Sequence, residues 1–507
     1  MTRSLTVRKG AYVDSVALMQ VSKQVSSLPG VRSALVAMAT ELNLDLARGM
    51  GFELPGKTVP NEMLVAIEAE DDDALAAALA EVDTALTRSS SPTPSSFGTP
   101  PAPLTIRAAA RSVELSVAAG VAAGVAAGVE AGVALISTPG QYAFADAIDA
   151  VDAGLHTMVF SDNVPVEQEV ALKRYAGPAG VLVMGPDCGT AVLGGVGLGF
   201  ANVVRPGPVG IVAASGTGAQ HLMTLLDGAG VGVSHCLGVG GRDLSSEVGG
   251  ISTLRALDLL AADEATEVVV VVSKPPSPSV ARAVEEHAAS LGKPVIFGLL
   301  GMGQPDITET AQRAVETTGQ PWRAPEHLSG SVKQGREGGS LRGLFAGGTL
   351  CDEAMILAAD ALGPVRSNIP LDPTWALNDS IASEGHTMID FGDDRLTQGR
   401  PHPMIDGSIR AERLLQEVSD PTCGVVLLDV VLGLGAATDP ASELASVIGA
   451  ATAAGIPVVV SLVGTKNDPQ DLDRQAQALN DAGAWVFFSN AEAARTALDL
   501  LEKGKTA

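Results

Sequence analysis

The sequence predicts an α/β protein built on parallel sheets, with a small α+β module ahead of them. Three observations predict it. Short apolar runs without alternation recur between helix-like segments, among them 209–214 (VGIVAA), 268–272 (VVVVV) and 425–430 (VVLLDV). A strand covered by helices on both faces reads this way, and such strands belong to parallel sheets. Hydrophobic residues make up 46% of the 507 positions, yet only 16 are aromatic. Glycine and alanine fill the gap, which suits closely packed layers and not a stacking platform for bases. Finally, residues 89–103 read SSSPTPSSFGTPPAP, a Ser/Pro-rich linker that sets the first module apart.

The elements follow in order. Residues 1–88 form the small module, with strands at 7–14 and 33–39 around a helix at 17–27. A strand at 63–68 and a helix at 72–87, behind a capping Asp, complete it. This order suggests a ferredoxin-like or ACT-like fold. After the linker at 89–105, four AAGV-like units run through 117–133 and place each Val near one face of a packing helix. Strands then fall at 133–137, 156–161 and 181–185 in a first unit, 106–205. A second unit, 206–320, has strands at 209–214, 233–239, 268–272 and 295–299. Seven strands in so short a span divide into two sheets, near 205–208. A polar, Gly-rich linker at 321–340 leads to a third unit, 341–507, with strands at 344–346, 387–390, 425–430, 457–462 and 485–488 and a long loop at 366–400.

Charge and cysteine usage exclude several classes. With 58 acidic and 33 basic residues the net charge is −25, which argues against binding nucleic acid or anionic lipid. The four cysteines (Cys188, Cys236, Cys351 and Cys423) form no C-x-x-C pair, so neither a zinc site nor a disulfide framework is expected. The first 25 residues carry Arg3, Arg8, Lys9, Asp14 and Lys23 and no apolar signal core. The uncharged run at 115–129 is too short and Gly-rich to span a bilayer. The expectation is a cytoplasmic protein with no membrane contact.

Several turns after strands can carry chemistry. Residues 211–219, IVAASGTGA, pass from strand to helix through Ser215, Gly216, Thr217 and Gly218. The free N–H groups and dipole of that helix start favour an anion, although an ordinary βα turn with Ser as N-cap reads the same. Residues 345–352, FAGGTLCD, repeat the pattern with Gly347, Gly348 and Thr349. Two such turns, one in each half, raise the odds of one shared phosphate or carboxylate. Neither is a Walker A loop. Residues 389–406 (IDFGDDRLTQGRPHPMID) gather Asp393, Asp394, Arg395, Arg400 and His402 at the carboxyl end of a strand, where parallel sheets place active sites. A solvated loop is the alternative. LGVGGRD (237–243) adds Gly240, Gly241 and Arg242, and MGPDCGT (184–190) adds Asp187 and Cys188. Cys188 has no His partner in sequence and reads as an inert thiol, and His221 sits one turn into the first of these helices.

These residues together resemble a known family. Residues 139–146, the FSDNVP stretch at 160–165, MGPD, PVGIVAASGT and LGVGG recur in that order and spacing in the α subunit of succinyl-CoA synthetase. Residues 341–507 resemble the carboxyl-terminal domain of its β subunit, with the AGGT turn and SLVGTKND (461–468) in corresponding places. The whole chain resembles the FdrA family of synthetase-like proteins. The resemblance implies a Rossmann-like CoA-binding-type domain at 106–205 and two flavodoxin-like ligase-type domains at 206–320 and 341–507.

The departures from the family carry as much information. The synthetase holds its phosphate on a histidine in the loop after the strand at 295–299. Here that loop is LGMGQPD, and no histidine lies between His287 and His327. The glutamate that partners the phosphohistidine should follow 268–272, where SKPPSPS stands. The glycine-rich CoA loop is replaced by the AAGV helix, and no ATP-grasp domain is present in this sequence. The two helix starts that would hold a phosphoryl group between them remain. The FdrA resemblance implies a subunit of a multi-component oxamate carbamoyltransferase of allantoin catabolism. On that reading carbamoyl phosphate is a substrate, with its phosphate held by Ser215–Gly218, Gly347–Thr349, Gly240 and Gly241. Arg395, Arg400 or His402 grips an acceptor carboxylate, and His402 or Asp393 carries a proton. No further cofactor is implied; CoA or ATP/Mg enter only if the chain is an acyl-CoA synthetase. A non-catalytic regulatory subunit is the remaining alternative. Expected partners are other carbamoyltransferase subunits, or a second copy in a homodimer.

Overall fold

The computed structural model describes residues 1–9, 13, 15–54, 58–59, 62–90, 105–111, 132–378, 380–397 and 401–505. The AAGV units before 132, most of the 89–105 linker, and Arg400 lie outside the described residues.

The amino-terminal module contains β1 (Thr2–Arg8), α1 (Ser15–Ser26), β2 (Val31–Met38), α2 (Glu41–Gly49), β3 (Met63–Ala69) and α3 (Asp72–Ser90). Its sheet is antiparallel in the order β1-β3-β2. Leu18, Val21 and Val25 of α1 and Val82 of α3 bury one face against Val36, Val65 and Ile67. Leu44 and Ala47 of α2, with Phe52, bury the other against Leu35, Leu64 and Ala66. Two expectations are corrected. The first strand is Thr2–Arg8, not 7–14, because Arg3 and Arg8, on opposite faces of the strand and paired with Glu68 and Asp83, break the apolar pattern. Helix α2 was not foreseen; it is a short helix of about two and a half turns after the capping Thr40, whose side chain accepts from Asn43 N–H at 3.3 Å.

A three-stranded parallel sheet follows, with β4 (Val133–Ile136), β5 (His156–Val159) and β6 (Val183–Met184) and helices α4 (Gly140–Asp152) and α5 (Val166–Ala176). Then a hairpin, β7 (Thr190–Leu193) and β8 (Val196–Gly199), crosses to the next sheet. That sheet runs β12-β11-β9-β10-β7-β8, built with β9 (Val209–Ala214), α6 (Gly216–Gly228), β10 (Val233–Gly238), α7 (Ile251–Ala262), β11 (Val268–Ser273), α8 (Pro278–Ala288), β12 (Val295–Leu299) and α9 (Ile307–Thr317). Sheet membership therefore changes between Met184 and Thr190, ahead of the break read near 205–208.

The last sheet has seven strands in the order β13-β19-β18-β17-β14-β16-β15. Its elements are β13 (His327–Leu328), β14 (Ser340–Phe345), α10 (Gly348–Leu362), β15 (Arg366–Ser367), β16 (Thr387–Asp390), α11 (Asp394–Thr397), α12 (Ser408–Ser419), β17 (Cys423–Val431), α13 (Pro440–Ala453), β18 (Val458–Val463), α14 (Leu472–Asp481), β19 (Trp485–Phe487) and α15 (Asn490–Lys505). All pairs are parallel except β13 with β19. Every residue of β9, β11, β17 and β18 is buried, as continuous apolar runs require, and each such Val or Leu contributes roughly 1.5–3 kcal/mol. The stretch read as a linker at 321–340 is not free: β13 pairs with β19, and Trp485 donates its indole N–H to Val332 C=O at 2.9 Å.

The two larger sheets are joined by buried polar contacts. Asp468 accepts from Asn202 Nδ2 and Val203 N–H, both at 2.7 Å, and Thr465 donates to Val203 C=O at 2.8 Å. Glu353 accepts from Ile307 N–H and Asn490 Nδ2, both at 2.7 Å, beneath α10. This joint fixes α6 and α10 in register. No helix among the described residues is long and apolar enough to cross a membrane.

Candidate functional site

The starts of α6 and α10 meet. Ser215 caps α6, accepting from Gly218 N–H at 2.9 Å, and its hydroxyl lies 2.6 Å from that of Thr349 in the first turn of α10. A second contact lies beside it: a Cβ on Gly347 would stand 2.8 Å from Thr217 Oγ1. A Cβ on Gly218 would stand 2.4 Å from Ser215 Oγ. Both glycines are therefore needed for the two turns to approach. Two helix starts in contact bring their dipoles and first-turn N–H groups to one place. Not every donor is free, because Ala346 and Gly347 N–H are held by the buried Asp429 carboxylate at 2.7 and 2.8 Å, which pairs with Arg410 at 2.8 Å.

A cation and two carboxyl groups surround this junction, and sequence reasoning missed all three. Lys274 follows the last residue of β11, and a Cβ on Gly348 would be 2.9 Å from its Nζ and 2.7 Å from Asp390 Oδ2. Lys274 Nζ is 3.8 Å from Asp352 Oδ2. Burial works against the charged lysine, but Asp352, Asp390 and Asp187 outweigh it and hold its pKa up. Burial pushes Asp390 up to about 7, against the pull of Lys274 and of the Gly392 N–H that it accepts at 2.9 Å. Burial likewise pushes Asp352 up to about 6, and Lys274 opposes it. A carboxyl group poised near neutrality can take or give a proton. The signal was faint: a polar residue just past an unbroken run of valines, and an Asp closing a strand.

A cavity of about 830 Å3 opens from the junction. Of the residues picked out in the sequence, Ser215, Gly216, Thr217, Gly241, Gly348, Thr349 and His402 line it. Gly218 and Gly347 stand just behind, where they let the turns close. Gly240, at φ +91°, stands where a Cβ would come within 2.5 Å of Pro186 C=O, a packing role. Asp393 and Arg395 are not in the lining: they pair with each other at 3.0 Å, and Arg395 also donates to Asn368 C=O. His402 is half-buried against Phe200, its Nδ1 accepting from Met404 N–H at 3.2 Å. Burial, with Arg410 nearby, drops its pKa to about 4, so it is neutral at pH 7 and a weak proton carrier. Asp390, unlike Asp393, lines the cavity beside the junction, with a carboxyl near neutrality. Cys188 is buried, its thiol pushed up to about 12 by burial. His221 is buried behind α6, accepting from Asn490 N–H.

Comparison with known proteins places this architecture. Residues 1–100 match the family described as AllF, heavy metal-associated domain; 204–297 match the CoA binding domain; and 344–500 match CoA-ligase. The first of these stretches contains no cysteine or histidine, so it has no thiolate or imidazole to offer a heavy metal. The CoA-binding match falls on the β9–β12 unit. The uncharacterized protein YahF of Escherichia coli is 36% identical over 535 aligned residues covering 100% of both chains. The malate–CoA ligase α subunit of Methylorubrum extorquens is 30% identical over 170 residues, 32% of this chain and 56% of that subunit. A succinate–CoA ligase α subunit of Archaeoglobus fulgidus is 28% identical over 180 residues, 34% of this chain and 60% of that one. The chain thus spans little more than half the length of these ligase subunits. An acetyl-coenzyme A synthetase of Ca. Korarchaeum cryptofilum aligns over 74% of this chain and 83% of that one, at 18% identity and a TM-score of 0.27. Matched end to end by YahF, and carrying an AllF-type module with CoA-binding and CoA-ligase domains, the chain belongs to the FdrA-like family of succinyl-CoA-synthetase-like fusions.

Proposed function

We propose that the chain transfers a carbamoyl group from carbamoyl phosphate to a small amide acceptor of the oxamate type. The observation that carries this reading is the junction of α6 and α10 with Lys274 beside it, in a chain without the histidine of a phosphohistidine relay. Such a centre suits a substrate that brings its own acyl phosphate. The phosphate lies against the Gly348–Thr349 turn and Ser215–Thr217, with Lys274 as counter-charge. The acceptor nitrogen attacks the carbamoyl carbon. A carbon–nitrogen bond forms, the carbon–oxygen bond to phosphate breaks, and phosphate leaves with the electron pair. Asp390, ionised, takes the proton from the acceptor nitrogen.

CoA ligation is the second reading, favoured by the CoA-binding match at 204–297. The cavity weighs against it. Among its described lining residues Lys274 is the one cation, while Glu41, Asp162, Asp187 and Asp390 are acidic. A ligand with several phosphates meets too little positive charge there, and the same holds for a nucleotide. The expected setting is a hetero-oligomer with other subunits of the transferase, with a homodimer as the alternative.

The test is oxamate-dependent release of phosphate from carbamoyl phosphate, by the chain alone and with its partner subunits. Wild type is expected to release phosphate and Gly348→Val to release none. Phosphate release that requires CoA or ATP would contradict the proposal.

A further inference from the structure

The far side of the cavity belongs to the amino-terminal module. Residues 34–38 of β2 all line it. A strand presenting a face offers every second residue; one offering consecutive residues presents its edge. β2 is indeed an edge strand, in the order β1-β3-β2. Val36 N–H donates to Ser22 Oγ at 2.8 Å, and the same hydroxyl donates to Val36 C=O at 3.0 Å. Both main-chain groups of Val36 therefore point away from β3. Ala39 N–H, three positions on, donates to Glu62 C=O on the other side. Antiparallel pairing alternates, so Ala34 and Met38, opposite Ile67 and Met63, are turned outward like Val36. Their carbonyls already have donors, Ser26 Oγ at 3.5 Å and Asn43 Nδ2 at 2.8 Å. By the same alternation their N–H groups lie on the edge that lines the cavity.

The module is also latched over the site. Lys23 of α1 donates to Ile405 C=O at 2.6 Å and pairs with Glu443, which accepts from Gly407 N–H at 3.0 Å. The latch thus grips the segment that carries His402 and Met404 into the cavity wall.

We propose that the outward edge of β2 is the acceptor site of this enzyme. The N–H groups of Ala34 and Met38 receive the carboxylate or carbonyl oxygens of a small acceptor, and its nitrogen faces the α6–α10 junction. The inference rests on the carbamoyl-transfer reading and adds to it. The module supplies substrate specificity, and donors on a strand edge do the work that a cationic pocket would otherwise do.

The test is calorimetric titration of oxamate into the full-length chain with saturating inorganic phosphate present, preceded by titration of inorganic phosphate alone. Ala34→Pro removes one N–H at an outward edge position, where proline is tolerated. Lys23→Met releases the latch without touching β2. Circular dichroism checks the fold of both. Both variants are expected to bind oxamate about tenfold more weakly, the worth of one charge-assisted hydrogen bond, with phosphate affinity unchanged. Unchanged oxamate affinity in Lys23→Met and in folded Ala34→Pro overturns the inference. So does a wild-type chain that binds phosphate but not oxamate, and the phosphate centre then stands. A wild-type chain that binds neither overturns the carbamoyl-transfer reading itself, and the inference with it.

Discussion

Replacing Asp390 by Asn should change the pH dependence of stability in a defined direction. Asp390 is only 5% exposed, and burial raises its carboxyl to about 7, from about 3.8 for a free Asp. Because the folded-state pKa is raised, the fold prefers the protonated acid. The wild type therefore loses stability as pH rises from about 4 to about 7, where the fold must bury a charge. At about 1.4 kcal/mol per unit, the part of that loss between pH 5 and pH 7 is about 2–3 kcal/mol. Asn keeps the Gly392 N–H bond through Oδ1 and never ionises. Asp390→Asn should therefore gain about 2–3 kcal/mol over wild type between pH 5 and pH 8. Asp352 and Glu353, also raised by burial, are present in both chains and largely cancel. Urea unfolding followed by tryptophan fluorescence measures this in the right part of the chain, since Trp322, Trp375 and Trp485 all lie outside the amino-terminal module. A stability difference between the two chains that does not vary with pH would refute the reasoning.

Three further outcomes are expected. Lys274→Met removes the counter-charge of the junction and should weaken inorganic phosphate binding tenfold to a hundredfold by calorimetry, the worth of about 1.5–3 kcal/mol. His402→Ala should leave the pH profile of transfer unchanged, because the imidazole is already neutral above about 4. It should cost about 1–3 kcal/mol in urea titrations through the lost contact with Phe200 and Met404 N–H. All four cysteines are buried, so iodoacetamide should leave the native chain active and label it only on unfolding.

The parts of the fold set by local pattern were readable in advance. Strands such as Val209–Ala214 and Val268–Ser273 are near-continuous apolar segments, and the helices behind Ser215 and Gly347 announce themselves by small and hydroxyl residues. Elements whose stability is tertiary were not. Thr2–Arg8 hides behind its two arginines, and the hairpin at 190–199 has only glycines and short apolar residues to mark it. At the site the same division holds. The two glycine turns were legible singly, and their shared Ser215–Thr349 contact follows from how two sheets dock. Asp390, Asp352 and Lys274 come from a strand end, a helix and another strand end, so no linear spacing joins them. The conspicuous run at 389–406 was a partial guide: Asp390, Gly392, His402 and Met404 line the cavity, while Asp393 and Arg395 satisfy each other outside it.

The central claim, a phosphate centre that serves an acyl phosphate and not CoA, is tested most directly by ligand-dependent stabilisation of the purified chain. Carbamoyl phosphate, inorganic phosphate, CoA and ATP–Mg are compared at matched ionic strength. A ligand at 100 times its dissociation constant adds about 2.7 kcal/mol. The account predicts a rise in Tm with carbamoyl phosphate and with phosphate, lost in Gly348→Val, and none with CoA or ATP–Mg. Stabilisation by CoA, with none by carbamoyl phosphate, would contradict it.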